Sequence, residues 1–245
     1  MAKGVVKGLF VLDNSPASVE ALGYAGFDFV VIDTEHGPND IAAVEHMVRA
    51  AEIGGLASIV RVTKNDPANI LRALDVGAGG ILVPQVNSGE AARQAVRAAK
   101  YGPEGDRGLA GIVRAARYGF RPLSEYLAEA NARTVVFVQV EDIKAVAALD
   151  EILAIDGLDG IFVGPADLSQ SMGITGQFDN PEFNKVIEDV IARTVAAGKI
   201  AGIFALSAED AKHWAAKGAR FIAIGSDGML FVRAATALAK EMQGI

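Results

Sequence analysis

The sequence predicts one closed (β/α)8 TIM barrel, an α/β fold, over residues 1–245. Three observations carry this. Eight short β-branched runs alternate with amphipathic helical segments along the chain. Most of those runs are apolar at consecutive positions, as in Phe29-Val30-Val31-Ile32, which marks strands buried on both faces of a parallel sheet. Eight β/α units in 245 residues also match the usual length of the closed barrel. An open doubly wound sheet would carry a glycine-rich turn after its first strand. Leu12-Asp13-Asn14-Ser15-Pro16 is not such a turn, and no Walker sequence occurs.

The strands are expected at Val5–Leu12, Asp28–Asp33, Ala57–Val62, Gly79–Pro84, Thr134–Val140, Asp159–Val163, Lys199–Phe204 and Arg220–Gly225. Between them, Ser15-Pro16, Asp66-Pro67 and Asn180-Pro181 each place a capping side chain before a proline, whose fixed φ and missing N–H suit a first helical turn. Ser207-Ala208-Glu209-Asp210 has the form of a capping box. Ile41, Val44, Val48 and Ala51 make one apolar stripe at helical spacing. Gly26, Gly77, Gly198 and Gly218 stand where helices should stop. One connection, Lys100 to about Arg121, is long enough to be a functional loop or an interface.

Composition narrows the function. Half of the chain is apolar and mean hydropathy is +0.29, yet no apolar run reaches the roughly 18 residues of a membrane helix. The first ten residues lack a signal-peptide core. Cysteine is absent, which removes disulfides, thiolate metal sites and cysteine nucleophiles and agrees with a cytoplasmic protein. Net charge is −7 and no Lys/Arg block occurs, so neither nucleic acid nor membrane is an expected partner.

Barrel active sites lie at the C-terminal ends of the strands. Five strand ends carry chemistry there: Asp33-Thr34-Glu35-His36, Arg61, Pro84-Gln85, Gln139-Val140-Glu141 and Gly164-Pro165-Ala166-Asp167. Gln139 and Glu141 are two apart and share a side of their strand. Glu141 and Asp167 follow adjacent strands, and two carboxylates at a barrel mouth suit a hard divalent cation such as Mg²⁺ or Mn²⁺. The plainer alternatives are that Glu141 caps a helix over Asp142–Leu153 and that Asp167 caps a turn. His36, one of three histidines, is read as a general base or acid; the alternative is a cap for a helix starting near Asn39. Arg61 matches a substrate carboxylate or a developing enolate oxygen, and can pair with Asp33 or Glu35 at the same time. Phe10 and Phe204 end the first and seventh strands, where they either wall a substrate pocket or belong to the core. A Schiff-base lysine would have to come from Lys7 or Lys64, since the fifth and sixth strands hold none.

These residues, together with Val60-Arg61-Val62, Leu74-Asp75-Val76-Gly77-Ala78, Tyr101 to Gly108 and Gly164-Pro165-Ala166-Asp167-Leu168-Ser169, resemble the HpcH/HpaI aldolase family along nearly the whole chain. The resemblance implies a class II aldolase that reversibly cleaves 4-hydroxy-2-oxo acids to pyruvate or hydroxypyruvate and an aldehyde. It implies a divalent cation (Mg²⁺, Mn²⁺ or Co²⁺) on Glu141 and Asp167, Arg61 on the pyruvyl oxygen, and His36, oriented by Asp33, handling protons. It further implies that Gln139 lines the site and that backbone near Ala166 takes the substrate carboxylate. Asp75 matches a residue that approaches a neighbouring subunit's site, which implies a homo-oligomer, a hexamer. Thr34 stands where many relatives have glycine. Two rivals remain: an acyl-CoA lyase of the same superfamily, for which no basic cluster for CoA phosphates is evident, and a non-catalytic carboxylate-binding barrel.

Overall fold

The computed structural model describes residues 4–243. Eight strands close into a barrel in sequence order, every neighbouring pair parallel. They are β1 (Val6–Val11), β2 (Phe29–Asp33), β3 (Ala57–Arg61), β4 (Gly80–Val83), β5 (Val135–Val140), β6 (Gly160–Val163), β7 (Ile200–Ala205) and β8 (Phe221–Ser226). Each falls within about a residue of its sequence expectation. Helices α1 (Pro16–Tyr24), α2 (Ile41–Ile53), α3 (Pro67–Asp75) and α4 (Gly89–Ala99) return the chain after the first four strands. After them come a 3₁₀ turn (Arg114–Gly119) and α5 (Leu123–Arg133). The second half adds α6 (Ile143–Ala147), α7 (Leu149–Leu153), α8 (Pro165–Ser171), α9 (Pro181–Ala196), α10 (Ala208–Lys217) and α11 (Asp227–Glu241). None of the described helices is long and apolar enough to cross a membrane.

The helix signals act as read. Ser15, Asp66, Asn180 and Ser207 accept from backbone N–H groups of the first turns of α1, α3, α9 and α10. Each such cap stabilises its helix by about 1 kcal/mol. In α10 the box is reciprocal one residue upstream, because Asp210 accepts from the Leu206 amide at 2.8 Å. Gly26, Gly77, Gly198 and Gly218 all take positive φ, which reverses the chain into the next strand without a Cβ clash.

Side-chain alternation sorts the barrel into two cores. One alternate set, including Val30, Ile32, Val60, Ile81, Val138 and Ile161, faces outward into the layer shared with the helices. The other set fills the interior with Phe29, Val31, Ile59, Leu82, Phe137, Phe162 and Phe221. Phe221 stacks on Phe29 and Phe137 with ring centroids 3.9 and 4.6 Å apart. This plugs the barrel at the N-terminal end of its strands. Continuing the inward alternation upward from Phe29 and Val31 gives Asp33, from Ile59 gives Arg61, and from Phe137 gives Gln139 and then Glu141. The period-two geometry therefore delivers the polar set to the mouth.

Candidate active site

Asp33 and Arg61 are partners in the β2–β3 register. Arg61 Nε and Nη2 donate to the two oxygens of Asp33 at 2.9 and 2.5 Å, and Nη1 lies 3.2 Å from Glu35. The guanidinium sits over the Phe10 ring, 4.9 Å from its centroid. Asp33 is fully buried, and its Oδ1 also accepts from the backbone amides of Glu35 and His36 at 3.0 and 3.3 Å. Asp33 thus fixes the arginine and the loop after β2 together. Its contact with His36 is to the backbone, while the imidazole itself projects exposed at the rim. The cap of α2 is Asp40 and not His36, since Asp40 accepts from the Ala43 amide at 2.9 Å.

The second half of the site comes from β4 to β6. Glu141 is buried just beyond β5, with Oε1 accepting from the Gln85 amide at 2.7 Å and Oε2 from Gln139 Nε2 at 2.5 Å. The plainer alternative, a helix cap by Glu141, does not hold, because Asp142 is the cap and accepts from the Lys144 amide at 2.8 Å. That leaves Glu141 free to face the mouth. The single helix expected over Asp142–Leu153 is broken at Ala148 into α6 and α7. Gln85 takes a left-handed φ of +55°, unusual for a residue with a side chain, and this conformation accompanies its amide's donation to Glu141. Gly164 leaves room for this pair: a Cβ there would meet Glu141 Oε2 at 2.9 Å and Gln139 Nε2 at 3.3 Å. Asp167 and Ala166 stand exposed on the first turn of α8.

Electrostatics tie the two halves together. Burial pushes the Glu141 carboxyl up to about 7; the Gln85 amide opposes this, and the charges of Asp167 and Glu35 add to it. Glu35 is likewise raised, chiefly by burial, against the pull of Arg61 and His36. Asp33, Glu35, His36, Arg61, Glu141 and Asp167 therefore share one field at the mouth.

This donor set fits a hard divalent cation. Gln139 Oε1 is buried without a hydrogen-bond partner, and Glu141 is a carboxylate that its surroundings discourage from ionising. A cation would supply what both lack. Among the described residues no three His, Cys, Asp or Glu side chains converge into a ready-made cage. The ion would thus rest on two carboxylates, with coordination left for substrate and water, as suits Mg²⁺.

Around this centre, Phe10 packs edge-on against Phe204 at 5.5 Å and, tilted, against Phe162 at 5.8 Å. Phe10 is buried beneath Arg61, whereas Phe204 is only half-buried. Asp75 ends α3, at the opposite end of the barrel from this mouth, and accepts from Arg107 Nη2 at 2.8 Å. Lys7, on β1, pairs instead with Asp28. Sequence reasoning offered Asp33 or Glu35 as the partner of Arg61, and both pair with it; Gln85 was singled out as a strand-end residue without a role, and the structure places its amide against Glu141.

The chain matches the profile described as HpcH/HpaI aldolase/citrate lyase over residues 7–234. It is 40% identical over 238 residues to a 5-keto-4-deoxy-D-glucarate aldolase of Shigella dysenteriae, covering 97% of this chain and 92% of that one. It is also 40% identical over 228 residues to a 2-keto-3-deoxy-L-rhamnonate aldolase of Klebsiella pneumoniae, covering 93% and 85%. Among solved structures, an HpcH/HpaI aldolase/citrate lyase family protein from Burkholderia cenocepacia superimposes with a TM-score of 0.93 at 36% identity, covering 98% of this chain and 95% of that one. With the barrel, its mouth and these relatives in agreement, the chain belongs to the HpcH/HpaI aldolase/citrate lyase family of enzymes.

Proposed function

We propose that this enzyme is a divalent-metal-dependent aldolase that cleaves 4-hydroxy-2-oxo acids, reversibly, to pyruvate or hydroxypyruvate and an aldehyde. The observation that carries this reading is the pairing of a buried, doubly anchored Arg61 with the Glu141–Gln139 pair across one mouth. The names of the Shigella and Klebsiella relatives, both sugar-acid aldolases, support the same substrate class.

Glu141 and Asp167 would hold Mg²⁺, Mn²⁺ or Co²⁺. Bound there, the cation would supply Lewis-acid polarisation of the keto group. Arg61, immobilised by Asp33, faces the mouth with its guanidinium positioned for the oxygen that becomes negative as the enolate forms; a preorganised donor of this kind costs no reorganisation during reaction. Backbone at Ala166 is available for the substrate carboxylate. His36, at the exposed rim, removes the methyl proton in synthesis and the C4 hydroxyl proton in cleavage. Phe204, half-buried beside Phe10, would wall the aldehyde side.

A homo-oligomer and a cytoplasmic location complete the proposal. The former is supported by α11, which has no buried residue and exposes Phe231, Val232 and Leu238. The test of the reading is a panel of aldehydes condensed with pyruvate and with hydroxypyruvate, with and without a chelator. Metal-dependent carbon–carbon bond formation supports it. Undiminished turnover in chelator-treated protein, or none with any aldehyde in the presence of Mn²⁺, overturns it.

A further inference from the structure

We propose that Leu12 is a specificity-determining residue, one wall of the aldehyde side of the mouth, and that Asp227 and Asn39 are positioning residues that hold it there; the proposal rests on the aldolase reading above. Leu12 stands two positions after Phe10, so it continues the inward alternation of β1 just past the end of the strand. Five partly buried apolar side chains pack against the aromatic interior of the barrel: Val6, Leu12, Val135, Ile200 and Phe204. Val6, Val135 and Ile200 begin their strands, at the plugged end. Of the five, only Leu12 and Phe204 lie at the mouth. They come from β1 and β7, and β8 runs between them. There β8 sets the small Ala223 beside Phe204, so the space between the two larger side chains is not filled from below.

The backbone of Leu12 is held by side chains from two distant segments. Asp227, at the start of α11, accepts from the Leu12 and Asp13 amides, one on each carboxylate oxygen, both at 3.0 Å. Asn39 Nδ2 donates to the Leu12 carbonyl at 3.0 Å and to the Asp33 carbonyl at 2.9 Å. The end of β1 is thereby tied to the residue that anchors Arg61. Two features of the backbone make this clasp possible. Gly8 pairs with Ala223 but Phe10 pairs with Ser226, so β8 carries one residue more than β1 over this stretch, and Gly225 within it takes a φ of +72°. Such a bulge re-aims the residues that follow it, here Ser226 and Asp227. On the other side, a Cβ at Gly37 would meet the Asp33 carbonyl at 2.5 Å, Asn39 Nδ2 at 2.8 Å and the Leu12 carbonyl at 2.9 Å. Only a glycine lets the three groups close on one another.

A wall discriminates by size only if it cannot retreat, and a residue beyond the end of its strand needs support from outside the sheet. Asp227 and Asn39 supply that support. Neither belongs to the pyruvate half of the mouth, where Asp33 fixes Arg61 through its carboxylate rather than its carbonyl.

The test is steady-state condensation of pyruvate with acetaldehyde and with pentanal by the full-length, Mn²⁺-loaded protein. Leu12→Ala should raise the kcat/KM ratio of pentanal over acetaldehyde about tenfold, and Leu12→Phe, which narrows the same space, should lower it. Asp227→Ala should raise the aldehyde KM about tenfold and leave the pyruvate KM within about twofold of wild type. Asp227→Asn keeps one acceptor and should fall between; it carries the comparison if Asp227→Ala does not fold. In the Leu12→Ala background, Asp227→Ala should add nothing to the ratio, because the wall it positions is already gone. An unchanged ratio in both Leu12 variants overturns the proposal. So does an equal rise of both KM values in the Asp227 variants, or full additivity in the double variant, either of which would make the clasp a general closure of the barrel seam. Wild type that condenses pyruvate with neither aldehyde removes the aldolase reading, and this proposal with it; wild type that condenses them at a ratio indifferent to Leu12 removes this proposal alone.

Discussion

Asp33 and Arg61 meet edge to edge across adjacent strands, two donors on two acceptors at 2.9 and 2.5 Å, with the carboxylate wholly buried. Because the same carboxylate also holds the amides of residues 35 and 36, one side chain sets the direction of the arginine and the path of the loop that carries His36. Asp33→Asn should therefore cost more than a lost ion pair. A half-broken buried pair typically costs about 3–5 kcal/mol. We expect destabilisation of that order by denaturant unfolding, together with at least a tenfold loss in kcat. Wild-type stability and kcat in this variant would show that the pairing is not an anchor.

The pH dependence of metal binding follows from Glu141. Its carboxyl titrates at about 7, raised from an ordinary 4.5 by burial. A raised value favours the folded state when the group is protonated. That contribution is complete below the ordinary value and is lost as pH rises through about 7. Metal-free protein should thus melt lower at about pH 8 than at about pH 6, where a Mn²⁺ ion must displace a proton to bind. Mn²⁺ affinity should rise with pH through this window and level off above it, with proton release detectable in buffers of different ionisation enthalpy. Glu141→Gln should abolish the pH slope. A slope that persists in that variant would assign the titration to another group.

Gly164 offers a steric test of the same centre. Its φ of −98° is open to any residue, so an added methyl acts through space alone. In Gly164→Ala the Cβ would press on Glu141 and Gln139, displacing the carboxylate without removing it. We expect Mn²⁺ affinity to fall about 10- to 100-fold, the range seen when the support of a ligand is disturbed. The far-ultraviolet circular dichroism should be unchanged. Unaltered affinity would mean that Glu141 does not need its present position to bind metal.

Phe10 and Phe204 should separate on substitution. Phe10 is buried under Arg61 and between two other rings, so Phe10→Ala should cost about 3–5 kcal/mol of stability. Half-buried Phe204 should instead change the ranking of aldehydes in Phe204→Ala, with little effect on pyruvate affinity. An unchanged ranking would remove Phe204 from the aldehyde pocket.

How far the chain could be read without coordinates depended on range. Strand runs and helix caps are local signals, so Ser15, Asp66, Asn180 and Ser207 act as their spacing implies. The inward direction of Asp33, Arg61, Gln139 and Glu141 also follows from alternation along single strands. What escaped was non-local. The Gln85 amide reaches a carboxylate 56 residues away, through a left-handed turn that nothing in Pro84-Gln85 encodes. By contrast, that the cap of α6 falls to Asp142 rather than Glu141 follows from the same local alternation, which turns Glu141 inward.

The central claim is that this mouth forms an enolate before any carbon–carbon bond changes. Exchange of the methyl protons of pyruvate in D₂O, with Mn²⁺ and no aldehyde, measures that step alone. Wild type should exchange them. Arg61→Ala should lose about 10²–10³ in exchange rate, the usual effect of one oxyanion donor. His36→Ala should lose both exchange and aldol cleavage. Retention of both activities in His36→Ala, or absence of exchange in the wild type, would contradict the account.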